Sequence, residues 1–266
     1  MPALALFGIT GRMGQSVLRA LKEAPAFTLT GAIASAQSPR LGADAAGSDI
    51  APTGVLITSD PVAGLRGASV AIDFSSGLCA AEHARACAAA RVPILIGTTG
   101  LDADGRGVLQ QAARDIAVLI APNTSIGLGV VAQLVAQAAR ALGPAYDVEI
   151  VEVHHRMKRD APSGTALLLG ETVAAARGES LGEVAAYDRS ARNAPRTPGS
   201  IGFCSARAGD VVGEHTVIFA GDGERVEIIH RATDRSIFAR GALRAAEWLA
   251  GQPAGLYGMQ HVLGLE

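Results

Sequence analysis

Glu152 to Ala166 reads EVHHRMKRDAPSGTA. Two of the chain's six histidines, His154 and His155, stand side by side there, and Arg156, Lys158 and Arg159 follow at once. The net charge of the whole chain is only −2, so any pull on an acidic small molecule has to be local, and this loop is one place that supplies it. Pro162, Ser163, Gly164 and Thr165 then open an apolar, alanine-rich run with helical character. The first turn of a helix offers unpaired N–H groups and the positive end of the dipole, which suit a carboxylate. Gly164 permits close approach and Thr165 adds a hydroxyl donor. A histidine, which titrates near neutrality, and a lysine among other cations are both credible proton donors. A metal site is not expected, because adjacent residues of a strand point to opposite faces and no further ligands follow at zinc-like spacing.

A second group of motifs lies in the first half. FGITGRMGQS places Gly8, Gly11 and Gly14 between an apolar strand and a helix, a respaced form of the dinucleotide fingerprint. Glycine allows the tight turn and the close backbone approach, and the helix start can receive a pyrophosphate. DFSS (Asp73–Ser76), IGTTG (Ile96–Gly100) and APNTS (Ala121–Ser125) each follow a strand-like run. In an open parallel sheet such strand ends line one crevice, and their small and hydroxylated residues suit a nicotinamide and its ribose. The second strand ends in Ile33, Ala34, Ser35 and Ala36, with no acid to grip a ribose 2′-hydroxyl. Ser35, Arg12 and Arg40 could instead accommodate a 2′-phosphate, so NADPH is expected, with NADH as the alternative.

The elements that must position these residues alternate in type. Apolar strands at Leu4–Ile9, Phe27–Ala34, Val70–Phe74, Ile94–Ile96 and Ala117–Ala121 are separated by helices at Met13–Ala24 (stopped by Pro25), Ala80–Arg91 and Asp104–Arg114. Between the second and third strands lies a loose Gly/Ala/Ser/Pro stretch. Strand–helix alternation predicts right-handed crossovers and a doubly wound parallel sheet. After a long helix at Ile126–Leu142 the pattern changes to a strand alternating at Val148, Ile150 and Glu152, and then a helix at Ser163–Ala176. Strands follow at Ile201–Ala206, His215–Ala220 and Arg225–Arg231, the last two joined by a Gly221-Asp222-Gly223 turn. Residues 178–199 read as an irregular loop, and Ser236–Leu249 as a closing helix before a short tail. The expected class is α/β, with a Rossmann-type dinucleotide-binding domain over 1–123 plus 235–266. A second, α+β domain for substrate binding and oligomerisation is expected over 124–234.

Composition narrows the function classes. With 49% hydrophobic and 18% charged residues in 266, the chain can bury a core and is not a disordered or nucleic-acid-coating protein. No basic recognition helix or phosphate-tracking patch is present, which argues against a nicotinamide-sensing DNA regulator. Another dehydrogenase acting on an amino acid such as aspartate would share the glycine loops without needing the paired-donor segment. Cys79, Cys87 and Cys204 match no zinc or CxxC spacing and suit a reducing cytoplasm. No uninterrupted apolar run of membrane-spanning length is read, so a soluble chain is expected.

Together GxxGRMG at Gly8–Gly14, GTTG at Gly97–Gly100, the APN turn at Ala121–Asn123, ExHHxxKxDxPSGTA at Glu152–Ala166 and RAGDVVGEH at Arg207–His215 resemble the bacterial 4-hydroxy-tetrahydrodipicolinate (dihydrodipicolinate) reductases of the diaminopimelate route to lysine. The likeness covers nearly the whole chain. It implies a nicotinamide-dependent reduction, with loss of water, of a cyclic dicarboxylated imine-type substrate. Hydride would go to a ring carbon and a proton to its neighbour. By that resemblance His154 and Lys158 are the proton-donor candidates, His155 helps hold substrate, and Gly164 with Thr165 bind a carboxylate. The cofactor positions would be Gly8, Ile9, Thr10, Gly11, Arg12 and Met13; Gly97, Thr98 and Thr99; and Ala121, Pro122, Asn123 and Thr124, with Ser35 at the adenosine end. The resemblance also implies a homotetramer of subunits whose two domains close on a hinge. Two positions depart from the family pattern: Ser35 stands where an acid is common, and Thr124 where a larger apolar residue is frequent.

Overall fold

The computed structural model describes residues 1–23, 27–190 and 194–265; the expected Pro25 stop lies outside them. The elements in chain order are β1 (Ala3–Phe7), α1 (Arg12–Glu23), β2 (Thr28–Ile33), β3 (Ile57–Thr58), α2 (Pro61–Gly64), β4 (Val70–Asp73), α3 (Gly77–Ala90), β5 (Ile94–Ile96), α4 (Ala103–Ala112) and β6 (Ala117–Ile120). They continue with α5 (Ile126–Leu142), β7 (Asp147–His154), α6 (Gly164–Ala176), α7 (Leu181–Val184), β8 (Ala185–Ala186), β9 (Ile201–Arg207), β10 (Gly213–Gly221) and β11 (Glu224–Ala232). The chain closes with α8 (Ser236–Leu249), β12 (Gly255–Tyr257) and α9 (Met259–Leu263). Two compact units result, Met1–Ile126 with Ser236–Glu266, and Gly127–Arg235.

The first unit carries a seven-stranded sheet in the order β12-β6-β5-β4-β1-β2-β3, every pairing parallel. Its strands are short apolar runs because both faces are covered. On one face Leu4, Leu6, Ile72, Leu95 and Leu119 pack with Val17 and Leu18 of α1 and Ala242 and Leu249 of α8. On the other, Ala5, Phe7, Ala71, Ile94 and Val118 pack with Ala84 and Cys87 of α3 and Leu109 of α4. The alternation of neighbouring strand residues between these two clusters is the two-residue period of a strand. Strand order reverses direction at β1, so the turns after β1 and β4 flank the switch point where such sheets bind ligands.

The second unit holds a mixed five-stranded sheet, β11-β10-β7-β9-β8, in which β10 runs antiparallel to both β11 and β7, and β9 parallel to β7 and β8. Alternate residues of β7 are buried. Val148 and Ile150 join an apolar cluster with Val135 and Ala139 of α5 and Leu169 and Val173 of α6, and Glu152 and His154 continue the same buried row as polar residues.

Several sequence expectations need correction. Residues 178–199 are not wholly irregular, since α7 and β8 lie there and β8 pairs with β9; residues 191–193 lie outside those described. The loose stretch before β4 contains β3 and α2, and the tail contributes β12 to the sheet. β3, β8 and β12, of two or three residues without a continuous apolar run, show no readable period; their partners define them. One helix is long and apolar enough on average to cross a membrane, although its apolar run is not uninterrupted. Ile126–Ala145 is 20 residues long with a mean hydropathy of 1.4, enough by length and composition alone. Its glycines, glutamines and Arg140 interrupt the apolar run without lowering the average below that level. Leu128, Val131, Val135 and Ala139 form one side, packed in the second unit's core.

Candidate active site

In the first unit the turns after β1, β4, β5 and β6 all leave the carboxyl edge of the sheet. Gly8 has φ +75°, and a Cβ there would lie 2.6 Å from the Phe74 carbonyl oxygen. Only glycine lets the turns after β1 and β4 approach this closely. Gly8 and Ile9 both donate backbone N–H to the Ile33 carbonyl, at 2.9 and 3.2 Å, and Gly11 donates to the Gly8 carbonyl at 2.9 Å. Those three N–H groups therefore brace the turn, and the side chain of Ile9 is fully buried. Arg12 and Met13 open α1, with Arg12 exposed and Thr10 exposed just before it.

Gly97 donates to the Asp73 carbonyl at 2.9 Å and Ala121 to the Ile96 carbonyl at 2.9 Å, which ties the turns after β4, β5 and β6 together. Thr98 is 6% exposed, and its hydroxyl has no partner among the described residues. Thr99 is exposed beside it. Such an orphaned hydroxyl at a strand end suits a polar ligand. The group of residues thus fits a dinucleotide at the strand ends. Pro122 is exposed, and Asn123 Oδ1 accepts from Ser125 N–H at 2.9 Å. The Thr124 hydroxyl donates to the Phe238 carbonyl at 2.6 Å, so its buried side chain ties this turn to α8.

At the end of β2, Ser35 is exposed and its hydroxyl bonds the Gln37 side chain. Arg40 donates through Nη2 to the carbonyl of Asp44 at 2.8 Å and also reaches that of Ala46.

Asp73, which opens the DFSS motif, and His83, to which the sequence assigned no part, also lie here. Asp73 is fully buried, contacts His83 Nδ1 at 2.8 Å, and accepts the Ser75 N–H at 2.7 Å, while the His83 ring stacks on Phe7.

In the second unit His154 is the last residue of β7 and is 8% exposed. Its Nδ1 bonds Glu152 Oε2. Glu152, fully buried, also accepts both terminal nitrogens of Arg207, each at 2.8 Å, and the backbone N–H of Ser163 at 3.2 Å. Burial alone would raise the Glu152 carboxyl; hydrogen bonds from Arg207, Ser205 and His154 outweigh it and hold the group at about 2. Burial pushes His154 below the ordinary histidine range, partly opposed by Glu152. His215 on β10 stands in register with Glu152, its ring edge-on to His154 with centroids 5.1 Å apart. Burial, helped by the nearby His154, pushes His215 down to about 3. Its Nε2 meets the Ser163 hydroxyl at 3.0 Å.

Ser163 is also the N-cap of α6, accepting from Ala166 N–H at 3.2 Å, so Gly164 and Thr165 occupy the first turn, Gly164 exposed and Thr165 half-buried. His155, half-buried, accepts the Lys158 N–H on its carbonyl at 3.1 Å. Lys158 Nζ lies 2.8 Å from both carboxylate oxygens of Asp160. The structure thus gathers His154, Lys158 and the start of α6 at one end of β7. Glu152, Ser163, Arg207 and His215 were missed as site members. Glu152 and Ser163 stand in the histidine segment itself, and Arg207 and His215 bound the RAGDVVGEH motif; those were the signals. Among the described residues no group of three or more His, Cys, Asp or Glu is placed to hold a metal ion.

Comparison with known proteins follows the same division. Residues 3–124 match the family model described as dihydrodipicolinate reductase, N-terminus, and residues 127–263 the one described as dihydrodipicolinate reductase, C-terminus. A 4-hydroxy-tetrahydrodipicolinate reductase of Anaeromyxobacter dehalogenans is 50% identical over 268 residues, covering 100% of this chain and 98% of that protein. The enzyme of the same name from Herminiimonas arsenicoxydans is 46% identical over 262 residues, covering 98% of each. Among solved structures, a dipicolinate-bound dihydrodipicolinate reductase from Paenisporosarcina sp. TG-14 shares the fold, with a TM-score of 0.76 at 22% identity, covering 98% of this chain and 99% of that one. With two family models spanning almost its full length and relatives near half identical, the chain belongs to the dihydrodipicolinate reductase family.

Proposed function

We propose that this chain reduces 4-hydroxy-tetrahydrodipicolinate to tetrahydrodipicolinate, with loss of water, in the diaminopimelate route to lysine. It is an oxidoreductase that uses a nicotinamide dinucleotide and a small substrate. The observation that carries the reading is the meeting, at the end of β7, of a buried histidine, a lysine and the open first turn of α6. Gly164 and Thr165 bind a substrate carboxylate through that turn, where backbone N–H groups and the helix dipole favour an anion. His155 helps to hold the substrate. His154 and Lys158 supply the proton that goes to the ring position next to the reduced carbon.

Gly8 to Met13, Gly97 to Thr99, Ala121 to Thr124 and Ser35 would hold the dinucleotide, which supplies hydride when bound. NADPH is preferred in this reading: no carboxylate closes β2 at Ser35, and the exposed Arg12 offers a cation at the start of α1. The first unit is the dinucleotide-binding domain and the second the substrate-binding and oligomerisation domain. A homotetramer is supported by the nine-residue edge strand β11, whose Val226 and Ile229 are both 40% exposed. A cytoplasmic setting agrees with the three free cysteines.

The test is oxidation of NADPH by the purified protein, followed by absorbance, with substrate generated in situ by condensing aspartate semialdehyde with pyruvate. NADH is run in parallel. Turnover dependent on both precursors is expected, whereas robust oxidation of aspartate with NADP⁺ and no turnover of the condensation product would overturn the reading.

A further inference from the structure

Several donors converge on Glu152, a carboxylate that the proposed reaction does not itself use: Nη1 and Nη2 of Arg207, each at 2.8 Å, the backbone N–H of Ser163 at 3.2 Å, Nδ1 of His154 and the side chain of Ser205. An ionised carboxylate only accepts hydrogen bonds. The nitrogen of His154 that faces Glu152 therefore carries a hydrogen in either protonation state of the ring. The proton that comes and goes is then the one on Nε2. A Cβ placed on Gly213 would lie 3.0 Å from that Nε2, so the glycine at the start of β10 keeps the nitrogen uncovered.

The geometry points to Glu152 as a positioning residue: clamped by Arg207, it fixes the tautomer and orientation of His154 so that Nε2 is the nitrogen presented to substrate. This rests on the reading of His154 as a proton donor and adds to it the group through which the fold controls that donor. The same carboxylate reaches the substrate-holding turn, because Ser163 donates to Glu152 and caps α6 one residue before Gly164. One buried anion thus sets the place of the donor ring and of the first turn of α6 together.

The charged and titratable groups around His154 are Glu152 on its own strand, Lys158 and Asp160 in the following loop, Arg207 from β9 and His215 from β10, with His230 of β11 acting on His215. Of these, Glu152 raises the proton affinity of His154, whereas Lys158 and Arg207 lower it. In Glu152→Gln the side chain keeps its size, but an amide NH₂ replaces one acceptor oxygen. Turned toward His154, that NH₂ donates to Nδ1 and transfers the ring hydrogen to Nε2.

Two measurements decide the matter. Two-bond ¹H–¹⁵N spectra of the full chain, with the His154 signal identified by its loss in His154→Gln, are expected to show the neutral ring as Nδ1–H in the wild type and Nε2–H in Glu152→Gln. The pH profile of kcat is expected to lose its basic limb at lower pH in Glu152→Gln, by more than about half a unit. There kcat falls on the order of 10²-fold, and substrate KM stays within about 3-fold, since the carboxylate-binding turn is retained. Glu152→Asp, which keeps the charge, should hold the limb nearer its wild-type position. An Nε2–H ring in the wild type overturns the proposal. So does a Glu152→Gln protein with the Nδ1–H ring and an unmoved limb, which would reduce Glu152 to a counter-ion for Arg207. The wild-type spectrum needs neither a variant nor turnover, so it still decides the role of Glu152 if the variant does not fold. Absence of wild-type turnover would fail the reductase reading separately.

Discussion

At the scale of single residues, the second unit spends burial on polarity: Glu152, His154, Ser163 and His215 are all under 9% exposed. Buried polar groups are as a rule partnered, and here each residue has at least one partner that also constrains chemistry, although His215 Nδ1 has none among the described residues. If His154 and Lys158 donate the proton, His154→Ala and Lys158→Ala should each lower kcat by about 10²–10⁴-fold. Dinucleotide affinity, measured by fluorescence titration, should not change. Wild-type kcat in both variants would remove the assignment. His215 carries a second prediction. Held at about 3 in the folded chain and near 6.5 when unfolded, it binds its proton first in the unfolded state as pH falls. Its contribution to stability is therefore present above about 6.5 and declines toward 3, by at most about 1.4 kcal/mol per pH unit. Urea midpoints between pH 7.5 and 4 should fall less steeply in His215→Gln than in the wild type; parallel curves would contradict the assignment. Glu152, held at about 2, adds a separate loss of stability only below about 4.3. The histidine segment was legible because its residues are contiguous. Arg207 and His215 were not, since only the β7–β9 and β7–β10 registers bring them beside Glu152 and His154.

At the scale of elements, the parallel sheet was readable because strands buried on both faces are continuous apolar runs bounded by glycine and polar turns. Ile126–Leu142 and Ser236–Leu249 were read to the residue for the corresponding reason in helices, a long amphipathic repeat. The short strands β3, β8 and β12 escaped because their Ile-Thr, Ala-Ala and Gly-Leu-Tyr lack the apolar run that marked the equally short β5, and only their neighbours define them. The turn after β1 makes a prediction at this scale. In Gly8→Ala the new methyl group meets the Phe74 carbonyl at 2.6 Å from a backbone at φ +75°. The left-handed conformation alone costs an alanine about 1–2 kcal/mol, and either the turn after β1 or that after β4 must also move. Lower stability in urea unfolding is expected together with weaker dinucleotide binding. Lost stability with unchanged dinucleotide affinity would mean that this turn braces the sheet without shaping the cofactor site.

At the scale of the whole molecule, each unit buries an apolar core of its own, and the ligands act on that stability by mass action. A dinucleotide that binds only the folded chain adds about 2.7 kcal/mol at a hundred times its Kd. Melting temperature is therefore a direct measure of preference between two dinucleotides at equal concentration, independent of turnover. With a serine at the end of β2 and Arg12 exposed at the start of α1, NADPH should raise the melting temperature more than NADH does. Ser35→Glu restores an acceptor for the ribose 2′-hydroxyl and sets a negative charge against a 2′-phosphate. A reversal of the order in that variant is expected, on the order of a tenfold change in relative affinity, about 1.4 kcal/mol. A wild type already stabilised more by NADH would show that the acid at this position is not what decides the choice. Discrimination would then have to come from the backbone of the turns at the strand ends.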